Sequence, residues 1–144
     1  MRRIALVVLA FLAVIGSGTA SAAGPGTAAS GLTVTARWAL LGDAPTTVVL
    51  VGRYTCGPFP GGVPDRGVID LGLTQVVNAT EVRGIGYLTP TVCDGTAQWF
   101  AAELTTVGGA AFRRGTATWA ASGYVEGGGG MQHGSVPPTR IRIQ

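Results

Sequence analysis

The chain has 144 residues, ten arginines, no lysine, seven acids and a formal charge of +3. Arg2 and Arg3 belong to an apolar leader, so the remainder holds eight arginines against seven acids. A nearly neutral body predicts neither nucleic-acid binding nor attraction to a membrane, and its size suits a single domain with a sizeable core.

The leader reads "MRRIALVVLAFLAVIGSGTASAA". Two arginines, an apolar run from Ile4 to Ile15 and the small-x-small triplet Ala20-Ser21-Ala22 make a secretory signal peptide over residues 1–22. The run is shorter than the roughly 20 apolar residues that a membrane span needs, which disfavours an uncleaved anchor. Cleavage leaves a flexible segment over 23–31 and one domain over 32–144 in a secreted protein, with no membrane attachment after processing.

Beyond Ser30 the texture is β: short runs of Val, Thr, Ile, Leu and aromatics, punctuated by Gly, Pro, Asp and Asn. Strands are predicted over 32–41, 46–56, 67–77, 80–88, 96–106, 112–125 and 139–144. Alternation marks the buried faces. Val48, Leu50, Gly52, Tyr54 and Cys56 share one face of the second strand; Ala117, Trp119, Ala121, Gly123 and Val125 share one of the sixth. All-β composition with about seven one-face-buried strands predicts an antiparallel, immunoglobulin-like β-sandwich, with a small closed barrel as the alternative. Trp38, Trp99 and Trp119 all fall in strands, and at least two are expected in the core.

Successive antiparallel strands reverse direction, so loops alternate between two ends. One end collects the short links 42–45, 78–79 and 107–111; the other collects the Gly/Pro-rich segments 57–67, 89–95 and 127–138. Binding surfaces favour loops on a rigid scaffold. The candidate binding residues are therefore Phe59, Asp65, Arg66, Asp94 and His133, facing an extracellular ligand of unknown identity. Phe59, set between two prolines, either presents an exposed apolar contact or folds back over the cysteines.

Cys56 and Cys93, the two cysteines of the chain, fall at this same end. In an exported chain they predict one disulfide. Two sharper readings remain: a thiolate at Cys93 activated by His133, and a zinc site from Cys56, Cys93 and His133. The first lacks a held imidazole, because His133 sits in a glycine run; the second lacks the close paired spacing of zinc motifs. Asp94-Gly95 is a tight-turn signal. Asp65 and Asp94 could be drawn as a hydrolytic pair, yet both stand where turns favour Asp. "GGGG" at 127–130 has no Lys and Ser/Thr at phosphate-loop spacing and reads as a mobile loop.

"GRYTC" at 52–56, Gln75 in an apolar strand, "CDGT" at 93–96 with Trp99, and "RRGTATW" at 113–119 together resemble small secreted actinobacterial domains of unknown function. The likeness spans residues 48–125. Arginine without lysine, with much Ala, Gly, Val and Thr, agrees with a GC-rich genome. The resemblance implies an exported sandwich with one disulfide and carries no activity, so it assigns no catalytic residue. The expectation is a non-enzymatic extracellular binding or structural protein with no cofactor and no metal. The alternatives are a protease inhibitor presenting the 57–66 loop and a small carboxylate-based hydrolase.

Overall fold

The computed structural model describes residues 31–144. The leader, and the 23–31 segment apart from Gly31, lie outside the described residues. Within them the chain forms β1 (Thr33–Leu41), β2 (Thr47–Thr55), β3 (Arg66–Val77), β4 (Thr80–Leu88), β5 (Gln98–Thr106), β6 (Gly115–Gly127) and β7 (Gly130–Ile143), with a short 3₁₀ turn at Pro60–Gly62. No helix among the described residues is long and apolar enough to cross a membrane.

The strands pair in the order β1-β2-β5-β4-β3-β6-β7, and the sheet closes into a barrel. This corrects the sandwich expectation. Alternation is the same in a sandwich and a barrel, because each buries one face of every strand. The difference lies in two short joints that leave no mark on the pattern. β4 joins β5 through Gly84–Thr106 and Ile85–Thr105. β7 joins β1 in parallel at Ala39–Ile143, where Leu41 N donates to Gln144 O and Gln144 N donates to Ala39 O. Between these joints stand a three-stranded wall, β1-β2-β5, and a four-stranded wall, β4-β3-β6-β7.

The inward side chains follow the expected faces of β2 and β6. Leu50, Ile69, Leu71, Leu73, Leu104 and Ile143 form the fully buried centre. Burying each such side chain stabilises by about 1.5–3 kcal/mol. An aromatic closes each end. Phe112, expected to begin a strand, instead plugs the end with the short loops, its N–H donating to Pro45 O at 2.7 Å. Gly84 leaves it room: a methyl there would come within 2.8 Å of the Phe112 ring. Phe59 fills the opposite end.

Two bulges reset the alternation. In β1 the register slips between Ala36 and Trp38, making Arg37 the extra residue. In β6–β7 it slips between Trp119 and Ala121, setting Pro137 and Pro138 against Ala120. Prolines are tolerated at such a bulge because one bulged residue needs no ladder partner. β7 therefore runs unbroken from Gly130. The 127–138 segment, expected as a loop, is not one. It is a two-residue hairpin turn followed by strand. Gly128 and Gly129 have φ of +57° and +79°, the left-handed pair that such a turn demands.

Candidate functional site

The loop end is built as a clamp. Cys56 and Cys93 form a disulfide, which removes both thiolates that a zinc site or a nucleophile needs. Around it Phe59 N donates to Cys93 O, Cys93 N to Gly62 O and Gly95 N to Cys56 O, all at 2.7–2.9 Å. Gln132 joins β7 to the same knot: its Oε1 accepts from Gly57 N at 2.8 Å and its Nε2 donates to Gly57 O at 3.2 Å. The Tyr54 hydroxyl accepts from Thr91 N at 3.3 Å.

The five sequence-predicted binding residues are absorbed by this construction or lie apart from it. Phe59 is 9% exposed and packs on Gly127, where a methyl would come 2.7 Å from its ring; it covers the end of the core. Asp94 Oδ1 accepts from Thr96 N at 2.8 Å and Thr96 Oγ1 at 2.6 Å. These bonds hold its carboxyl below the usual carboxylate range, the Thr96 hydroxyl contributing most. Arg66 begins β3 and pairs with Glu126 at 2.6 Å, its guanidinium held charged by that hydrogen bond. Asp65 is exposed and its N–H donates to Glu126 O. His133 stands in β7 opposite Tyr124, ring centroids 6.2 Å apart, on the outer wall. Asp94 thus serves its own turn.

The side wall carries features that the strand pattern did not announce. Where β4 and β5 part beyond Ile85–Thr105, a cleft of ≈ 760 Å³ opens. Asp70, Ile85, Tyr87, Ala101, Glu103 and Thr105 form its rims, and the core residues Leu71 and Ala102 line it as well. Tyr87 is 71% exposed. The depression continues over Gly72, Ala120, Ser122 and Ser135 to Tyr124 and His133. Small side chains make the floor, and aromatic rings and two carboxylates rise from it.

Beside the cleft, Trp38 and Trp99 stack with centroids 5.8 Å apart and planes 7° apart. Arg37 Cζ lies 4.7 Å from the Trp38 ring and Arg53 Cζ 4.2 Å from the Trp99 ring, a cation–π arrangement. Exposed to 37% and 49%, these two indoles are surface features, and only Trp119 is core. The expectation of two core tryptophans fails for two reasons. The Arg37 bulge turns Trp38 outward. Trp99 shares its parity with Glu103, while Phe100, Ala102 and Leu104 take the inward face. That second signal was present in the sequence: a strand cannot bury Glu103 in place of three apolar residues.

No family model matches the chain, and neither a curated protein nor a solved structure matches it significantly.

Proposed function

We propose that the chain is an exported, non-enzymatic binding domain whose ligand seat is the side-wall cleft between β4 and β5. One observation carries this reading: a cleft of ≈ 760 Å³ lies where a strand ladder stops early, and it is rimmed by exposed Tyr87 and Ile85 with Asp70 and Glu103. Concave sites that combine apolar surface with a few polar groups are the usual seats of ligands. The loop end, by contrast, spends its polar groups on itself. Export is supported by the leader's composition and by the disulfide, which fits an oxidising compartment. An immunoglobulin-related build and a kinship with small secreted actinobacterial domains fit the same reading, since the short joints leave the three- and four-stranded walls nearly separate sheets.

Isotope-labelled protein titrated with soluble oligosaccharides and with short synthetic peptides tests the reading. Amide shifts centred on Ile85–Tyr87 and Ala101–Glu103 are expected. Shifts centred on residues 57–66 would move the site to the loop and favour a protease inhibitor. Absence of any shift from both panels would count against a binding role.

A further inference from the structure

The cleft exposes more than side chains; one of its rims is an unpaired strand edge. Thr106 N donates to Thr46 O on the β2 side of β5, and Val107 N donates to Arg83 O on the β4 side. Alternate residues of a strand turn their backbone groups to alternate neighbours. Trp99, Ala101 and Glu103 therefore direct N–H and C=O toward β4. There the ladder has ended, for β4 and β5 pair only at Gly84–Thr106 and Ile85–Thr105. On its other side β5 stays paired with β2 from Thr105 back to Gln98. Gly86 still lies against the Glu103 carbonyl, where a methyl would collide, so the open edge begins there and runs back through Ala101 to Trp99.

Resting on the cleft as the binding seat, we infer that its ligand is an extended peptide segment of a partner protein, added as a strand along the free edge of β5. An exposed edge is a template for another chain, and strand addition takes affinity from the main chain and specificity from alternate side chains. The geometry sets that alternation. Outward residues of the added strand stand beside Trp99, Ala101 and Glu103, with Asp70 on the opposite rim. Inward residues face Leu71 and Ala102. The cleft lining carries two carboxylates and no arginine, Arg53 standing only at the Trp99 end, so the fitting segment alternates aliphatic residues with basic ones opposite Asp70 and Glu103. A sugar would satisfy the aromatic ring of Tyr87 but not a row of backbone donors and acceptors spaced for a strand.

The test uses a capped, fluorescein-labelled hexapeptide alternating valine and arginine, with a valine–glutamate peptide as its counterpart, read by anisotropy. Saturable binding of the first and much weaker binding of the second are expected. Ala101→Pro removes one edge N–H while sparing the β2 ladder, and should weaken binding by up to about tenfold, the loss of one hydrogen bond. Ala101→Val keeps the N–H and should weaken binding less than Ala101→Pro does. Asp70→Asn with Glu103→Gln should weaken the basic peptide several-fold and flatten its salt dependence. Amide hydrogen exchange on the parent protein provides a readout that does not depend on the proline variant folding. The amides of Trp99, Ala101 and Glu103 should exchange quickly alone and slow with peptide. Equal binding of both peptides, unchanged binding by a folded Ala101→Pro, or no added protection at these three amides each overturns the inference. If oligosaccharides shift the cleft while neither peptide binds, the strand-addition inference falls and the cleft remains the seat.

Discussion

Gln75 is the one buried polar side chain among the described residues, and it works as a bracket. Its Nε2 donates to Arg113 O at 2.8 Å and its Oε1 accepts from Arg113 N at 2.9 Å, standing in for a strand partner at the residue that follows the Phe112 plug. Gln75→Ala orphans both backbone groups and should cost about 1–3 kcal/mol, read as a lower urea midpoint with an unchanged slope. Asp94 gives a pH-dependent counterpart. Its carboxyl is depressed in the folded state, so its contribution is complete above the ordinary carboxylate range and vanishes as pH falls through the depressed folded value. Melting temperature measured across the acid range should drop more for the parent than for Asp94→Asn, and the two curves should converge at the acid end. At this scale the sequence was legible where a residue's job is local. The Asp94-Gly95 turn could be read from two letters, whereas the Gln75 bracket joins positions 38 apart and left no local trace. Phe59 shows the same limit: whether an apolar residue between two prolines faces water depends on Gly127, in another strand.

Strand elements are set by what opposes them. Asn78 and Ala79 close the β3–β4 hairpin between Val77 and Thr80, both with positive φ, +50° and +63°. Asn tolerates that region and Ala does not, at about 1–2 kcal/mol. Allowing for glycine's larger unfolded-state entropy, Ala79→Gly should raise stability by about 0.5–1 kcal/mol in thermal or chemical melts. Gly52 has the opposite requirement. It faces Ala36 beside the Arg37 bulge, and a methyl there would collide with the Thr35 carbonyl. Gly52→Ala should destabilise by about 1–3 kcal/mol through overpacking. It should also disturb the Trp38–Trp99 stack, visible as a change in tryptophan fluorescence. Six strand positions came close from periodicity. The seventh was read only over 139–144, and its first part, Gly130–Pro138, was missed because two prolines and a glycine run imitate a loop; only a bulge opposite Ala120 makes them compatible with a ladder. The same kind of bulge moved Trp38 from core to surface, and one inserted residue cannot be seen in a strand read alone.

For the whole molecule the staple and the joints set where stability resides. The disulfide spans a sequence separation of 37 and ties the start of the β2–β3 link to the β4–β5 link. In the chain-entropy description a loop of that size contributes about 4 kcal/mol. Replacing both cysteines by alanine should therefore lower unfolding free energy by about 2–4 kcal/mol while leaving the peptide-facing edge of β5 intact, checked by melts alongside the anisotropy assay. Overall class and strand number followed from alternation, the disulfide from the cysteine count, and the shared end of the 57–67 and 89–95 links from parity. Barrel closure and the cleft did not, because each depends on how few residues pair at a joint.

The parallel seating of β7 beside β1 carries a mechanical consequence. Thr33 starts β1 beside Thr55, at the stapled end, while Gln144 lies against Leu41 at the far end. Tension applied between residues 32 and 144 therefore draws β1 and β7 past one another lengthwise. The bonds at Ala39, Leu41 and Gln144 are loaded together in shear and are not peeled in turn. A seam too short to announce itself in the sequence thus lies directly in the path of a pulling force, and the residues enclosed by the disulfide are shielded from extension even after that seam gives way.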